Sequence, residues 1–391
     1  MNQHAAPVHY TNLSPLPTDL KSSFIHVISL DILHDKRDSN VLSGLLLTFF
    51  LGILFFIWGM RLGRVLLRQG ATANDLFKSK TPASLAFLGI YVFLLVITIS
   101  VPQMQALPLE WRFYGMRISW TMLRVFLLGA CGMAFTVSWQ TARPQVFSII
   151  LVGVLGLAGF SSVEAYFLSP IHASLHNNLQ ANGVYRQTSD SSCAPAALAT
   201  LLKYWGLSAS ESDVAELAGT SRLGTTMPQL IVAAQKLDMD GIELQSTWQD
   251  MQQINRPGIL AVWLFDGNRK LPHAVALLGL TDHVATIADP SRGEIFHLDR
   301  STFNYIWRDQ YVPIFRPSDI YLTRGEAAQY LHQLGYLDTP QASANLTEAI
   351  RQFQRDHRLT INGNLDSETV LFLTGSFIHD APRLDEYSHH A

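Results

Sequence analysis

QTSDSSCAPAALATLLKYWG, residues Gln187–Gly206, sets Cys193 at the head of an apolar run, CAPAALATLLKYW, that reads as a helix. Ser191 or Ser192 is placed to cap its first turn. Pro195 is tolerated there because first-turn N–H groups have no helical partner, and Gly206 stops the run. A thiol at a helix N-terminus faces free N–H groups and the positive end of the helix dipole, which favour the reactive thiolate. Gln187, six residues upstream, is placed to donate an amide N–H to an oxyanion forming beside that sulfur. The competing reading is a small apolar residue packed beneath a helix.

The 391 residues leave room for two or three domains. Only 15% are charged and 48% are hydrophobic, a balance that points to membrane spans. A net charge of -3 offers no basic footprint for nucleic acid, and no phosphate-binding glycine loop occurs. Of the two cysteines, Cys131 lies inside an apolar run and Cys193 outside one, so they are not read as a disulfide. No cofactor is implied, and His389 and His390 lack the further ligands a metal site needs.

Residues 1–40 are mixed polar sequence without a signal-peptide pattern, read as an extracytoplasmic N-terminal segment. Four apolar runs follow within a transmembrane region spanning 41–169: Val41–Met60, Ala83–Val101, Trp120–Trp139 and Phe147–Leu168. Each is long enough to cross about 30 Å of hydrocarbon. Arg61, Arg64, Arg68, Lys78 and Lys80 follow the first run and assign that loop to the cytoplasm. The resulting topology is multi-pass, N-out and C-out, with everything after residue 169 on the extracytoplasmic side. Arg124 and Glu164 sit near outer span ends, either paired across helices or reaching separately to the headgroups.

The remainder reads as helices followed by strands, an α+β order. Ser210 and Asp213 form a capping box with Gly219 as the stop, and PQLIVAAQKLD makes a third helix. Strand-like pieces are IELQS, GILAVWLF, HAVALLGL, VATIAD, EIFHL and YVPIF. With Thr281 at the midpoint of the hairpin HAVALLGL-TDH-VATIADP, His273 falls opposite Asp289 and Val275 opposite Ile287. The carboxylate would then hold the imidazole in one tautomer, as a base partnering a thiol requires. His283 and His297 are rivals on the same strands, and Asp289 in DPSRG also has the makings of a turn former.

Gln187, Cys193 and its helix, Gly224-Thr225-Thr226 ahead of a helix, and PHAVALLG followed by ADP resemble, in this order, the C39 family of papain-like cysteine peptidases. The resemblance covers roughly residues 180–318. It implies a papain-like fold with an antiparallel sheet and cleavage of peptide or protein substrates. It further implies Cys193 as nucleophile, His273 as general base, Asp289 as its orienter and Gln187 as oxyanion donor. Ser192-Cys193-Ala194 stands where the family commonly has Asp-Cys-Gly, and no nucleotide-binding domain follows in this chain.

Residues 323–376 resemble the three-helix peptidoglycan-binding domain through LGYL at 334–337, AIRQFQ at 349–354 and the stretch from Ile361-Asn362-Gly363 to Thr369. The likeness implies peptidoglycan as a partner, and Asn345 with Glu348 reads as a capping-box variant. A unit of this size has a thin core and should be marginal unless it docks on a neighbour. Residues 377–391 read as a loose tail. The expectation is thus a multi-domain protein of a bacterial inner membrane. A four-helix transmembrane region would lead into a periplasmic α+β C39-like peptidase and a small all-α module. The alternative is an inactive C39-like scaffold that holds peptide or peptidoglycan.

Overall fold

The computed structural model describes residues 49–70, 72–73, scattered positions between 86 and 100, and residues 109–267, 269–340 and 345–387. Two compact units divide the chain, one comprising 1–94 with 121–157, the other 95–120 with 158–391.

In the first unit, α1 (Phe49–Arg68) and residues 121–141 of α2 (Leu109–Thr141) are the two described helices long and apolar enough to cross a membrane. The apolar stretch Pro144–Gly159 of α3 (Pro144–Leu168) is shorter. Of the first expected span, 41–60, residues 41–48 lie outside the described residues, and α1 continues past Met60 to Arg68. Arg61 and Arg64 are good helix formers and nothing breaks the chain before Gly70, at φ +82°. These arginines therefore belong to the helix rather than to the loop after it. The expected span 83–101 lies largely outside the described residues, as does the side chain of Glu164. Helices α1 and α2 approach through glycine. A Cβ on Gly59 would stand 2.0 Å from the Gly129 carbonyl oxygen, and one on Gly132 would stand 2.2 Å from that of Phe56. Leu66, Met133 and Val137 fill the space beside the crossing.

The second unit is built on a six-stranded antiparallel sheet in the order β1-β6-β2-β3-β4-β5. Its strands are β1 (Asp240–Gly241), β2 (Gly258–Asp266), β3 (Arg269–Leu280), β4 (Val284–Asp289), β5 (Glu294–Asp299) and β6 (Trp307–Phe315). Of IELQS, only the bridge between Leu244 and Tyr311 joins the sheet. Alternation sends Ile259, Ala274, Ala276, Ala288, Val312 and Ile314 to one face. There they meet α4 (Cys193–Tyr204), α5 (Glu211–Ala218) and α6 (Met227–Gln235) through Leu198, Leu201, Val214 and Leu230. The capping box of Ser210 with Asp213 and the left-handed Gly219 stop α5 as the sequence reads.

Leu260, Val262, Val275, Leu277, Ile287 and Phe315 line the opposite face. Two short helices absent from the sequence reading, α7 (Trp248–Ile254) and α8 (Arg300–Ile306), cover part of it, capped by Thr247 and Asp299. The C-terminal helices α9 (Arg324–Gln333), α10 (Leu346–Asp356) and α11 (Ser367–Thr374) complete the same core through Ala327, Leu331, Phe353 and Leu371. The small module docks, and its thin core becomes half of a larger one. Asn345 makes no side-chain cap. Glu348, expected to reach back to it, pairs forward with Arg351 at 3.4 Å.

The expected loose tail is ordered as far as Tyr387. Leu384 is fully buried, and its carbonyl accepts the Leu280 N–H at 2.9 Å. The sequence conceals this because Ile378–Tyr387 has neither helical nor strand periodicity, and its order comes from groups supplied by the sheet and α7.

Candidate functional site

Cys193 is the first residue of α4, half-buried beside the core. The helix ends as expected, with Gly206 at φ +79° and the Leu207 N–H reaching back 2.8 Å to the Leu202 carbonyl. Its start differs from expectation, because neither serine caps it. The Ser192 hydroxyl donates to the Ser189 carbonyl at 2.8 Å and accepts the Ser189 N–H at 3.1 Å, while the Ser191 hydroxyl donates to the Arg222 carbonyl at 2.7 Å. Both hydroxyls are spent folding the preceding loop. The first turn of α4 is left without a side-chain cap.

That loop is sewn down from two sides. The Gln187 N–H donates to the Pro290 carbonyl at 2.8 Å, joining it to the turn after β4. Glu211, fully buried at the start of α5, accepts the Thr188 N–H at 2.9 Å and the Thr188 hydroxyl at 3.0 Å. Sequence reading missed Glu211 because a glutamate opening a helix looks like a dipole partner; only its burial distinguishes it. The Gln187 side-chain amide donates to the Ser189 carbonyl at 3.0 Å, which leaves its second N–H for another acceptor.

His273 lies on β3 opposite Val262 of β2, where the strand passes from exposed to buried residues, and is 7% exposed. Its Nε2–H donates to Asp289 Oδ1 at 2.7 Å, and the Cys193 side chain lies close enough to interact with its ring. With Nε2 taken by the carboxylate, Nδ1 is the nitrogen left for the sulfur. Asp289 Oδ1 accepts the Ser291 N–H at 2.8 Å, so the turn that follows the aspartate also aims it.

The expected register of the hairpin is two residues out. Thr281 opens the turn rather than centring it, its N–H donating to the Val284 carbonyl at 2.9 Å. Leu280 pairs with Ala285 and Gly279 with Thr286, whereas Leu277 pairs with Ile287 and Ala276 with Ala288. Leu278 is the extra residue of a β-bulge. Continued outward, this register sets Asp289 opposite Val275, with His273 one same-face position further along. An uninterrupted hairpin from this turn would have put Asp289 opposite Ala276, and His273 on the other face. The rivals are elsewhere: His283 is exposed in the turn, and His297 bonds the Thr286 hydroxyl at 3.0 Å across β4 and β5.

Burial alone would pull the His273 imidazole down. Its bond to Asp289, and after it the Cys193 side chain beside the ring, outweigh burial and hold it up to about 9. Burial likewise pushes the Asp289 carboxyl up, but His273 outweighs this and holds it below the usual carboxylate range. The geometry therefore lets one proton move between the Cys193 sulfur and His273 Nδ1, with the Asp289 carboxylate stabilising the imidazolium when the ring holds that proton.

The family model described as Peptidase C39 family matches residues 182–319, and that described as Putative peptidoglycan binding domain matches residues 323–373. An uncharacterized protein of Methanothermobacter marburgensis is 35% identical over 136 residues, which are 35% of this chain and 90% of that protein. The peptidase domain of Streptococcus ComA, a bi-functional ABC transporter of a quorum-sensing pathway, is 23% identical with a TM-score of 0.32, covering 34% of this chain and 98% of that one. A periplasmic domain of the EpsAB fusion protein of the Vibrio vulnificus type II secretion system is 16% identical with a TM-score of 0.30, covering 52% and 84%.

Proposed function

We propose a function from the premise that the chain belongs to the Peptidase C39 family through residues 182–319. It is a membrane-anchored cysteine peptidase that hydrolyses peptide bonds on the extracytoplasmic side, with the module at 323–376 holding peptidoglycan. The observation that carries this reading is the single buried imidazole that bonds the Asp289 carboxylate at 2.7 Å and has the Cys193 side chain beside it.

In the reaction, the Cys193 proton passes to His273 and the sulfur attacks the substrate carbonyl carbon. The free N–H of Gln187 and the Cys193 backbone N–H receive the oxyanion. As the intermediate collapses, His273 returns its proton to the departing amine and a thioester remains. A water molecule gives a proton to His273 and adds to the thioester. Collapse then releases the carboxylate and restores the thiol. Asp289 stabilises the imidazolium in both halves. Cys193→Ala and His273→Ala, incubated with a peptide library read by mass spectrometry, should each abolish cleavage. Cleavage retained in both variants would remove the catalytic assignment.

The four-span, N-out and C-out arrangement is part of the same proposal, supported by the arginines on the last turns of α1 and by the two apolar helices of spanning length. Cysteines introduced at positions 30 and 75 test it. A membrane-impermeant maleimide should label the first and spare the second, and the reverse pattern would invert the topology.

One observation favours a second reading, an inactive scaffold that binds peptide or wall: the Gln187 amide rests on the Ser189 carbonyl. Iodoacetamide separates the two readings. Fast alkylation of Cys193 at mildly acidic pH, lost in His273→Ala, supports the peptidase, and an inert thiol supports the scaffold.

A further inference from the structure

The ordered strap 378–387 touches both elements that carry the candidate nucleophile and base. Its Leu384 carbonyl accepts the Leu280 N–H at 2.9 Å, beside the bulge of β3. A Cβ on Gly279 would lie 2.9 Å from the Tyr387 Cβ and 3.4 Å from the Leu384 carbonyl oxygen, so strap and bulge are in direct contact. The Tyr387 ring also meets Tyr204 edge-on at 5.6 Å between centroids, and Tyr204 is the last residue of the Cys193 helix.

Asn255, in the left-handed region at φ +53°, holds the strap from its other side. Its carbonyl accepts the Leu384 N–H at 3.4 Å and its side-chain oxygen accepts the Asp385 N–H at 3.1 Å. Its amide donates to the Gly375 carbonyl at 3.3 Å, at the end of the C-terminal module. Arg383 braces the same turn through Asp385 at 3.0 Å and Glu386 at 2.9 Å.

We propose that Leu384 and Tyr387 are positioning residues: they pin the Leu278–Gly279 bulge and the end of α4, and so keep His273 in register with Asp289 and next to Cys193. A bulge is present or absent, with no intermediate. If it is lost or migrates along β3, the side chains between it and His273 exchange faces, and the imidazole turns away from the carboxylate. The strap acts from six residues along the strand because it selects a register instead of pushing on a side chain. It also makes the geometry of the site depend on the C-terminal module, whose last turn Asn255 grips. The effect on hydrolysis rests on the peptidase reading; the effect on His273 does not.

The test uses the full chain in detergent with Tyr387→Ala, Tyr387→Phe and Gly279→Ala. The readouts are an NMR titration of His273 and hydrogen exchange of the Leu280 amide. In Tyr387→Ala the His273 midpoint should fall by roughly one unit or more from about 9. The Leu280 amide should exchange at least about tenfold faster. Tyr387→Phe, which keeps the ring, should retain both values. Gly279→Ala intrudes on Tyr387 without altering the strap and should reproduce the Tyr387→Ala shifts if that variant does not fold. Where cleavage is measurable, kcat should drop about tenfold to a hundredfold with KM little changed. A His273 midpoint unmoved in folded Tyr387→Ala or Gly279→Ala would overturn the proposal. Absence of cleavage from the unaltered chain would instead sink the peptidase reading and leave the titration and exchange to decide on the strap.

Discussion

Asp289→Asn isolates the charge that sets the state of His273, because it keeps the shape and one acceptor oxygen. Although burial works against it, the imidazole is raised from 6.5 to about 9, and the hydrogen bond to Asp289 is the largest of the causes that raise it. That displacement corresponds to about 3 kcal/mol in favour of the imidazolium. With the carboxylate gone and burial unchanged, the His273 midpoint should return to near or below 6.5. The sign of the stability effect follows from linkage. A group whose folded value lies above its unfolded value contributes fully below pH about 6.5, and that contribution disappears as pH rises through about 9. The stability gap between the unaltered chain and Asp289→Asn should therefore be largest near pH 6 and shrink by about 3 kcal/mol by pH 10. Urea unfolding at three pH values and NMR of His273 measure the two quantities. A midpoint unmoved by the substitution, or a gap that is flat with pH, would refute the assignment of Asp289 as the partner holding the proton on His273.

Glu211→Ala strips both acceptors from Thr188 in a buried position and should cost about 2–3 kcal/mol in urea unfolding, with Glu211→Gln recovering part of it. Gly375→Ala places a Cβ 1.7 Å from the Gln253 carbonyl oxygen. It should cost about 1–3 kcal/mol or more and release the C-terminal module, read as faster proteolysis near residue 320. Gly59→Leu cannot coexist with the approach of α1 to Gly129. Disulfide trapping between cysteines placed at 52 and 128, where a Cβ on Gly52 meets only the Leu128 side chain, should fail in that background and succeed without it.

Local chemistry was legible wherever a few consecutive residues decide it. The Cys193 helix and its glycine stop, the Ser210–Asp213 box and the alternating strands depend on side chains reaching their own or neighbouring backbone, and those reaches are written in the spacing. The candidate pair His273–Asp289 was legible as a pair because both residues flank one hairpin. What decided whether they share a face was a single inserted residue, Leu278, and a bulge leaves no mark in an apolar run such as AVALLGL. Only the folded chain shows that Leu384 and Tyr387, some hundred residues away, rest on that bulge. The same holds for the serines before Cys193, whose hydroxyls turned to loop carbonyls, and for Glu211, an ordinary first-turn acid until burial gave it two bonds. Short-range preferences cost or gain about 1 kcal/mol and can be read residue by residue. Register, burial and the face a side chain takes are settled by which distant segments share the core, a choice the whole chain makes at once.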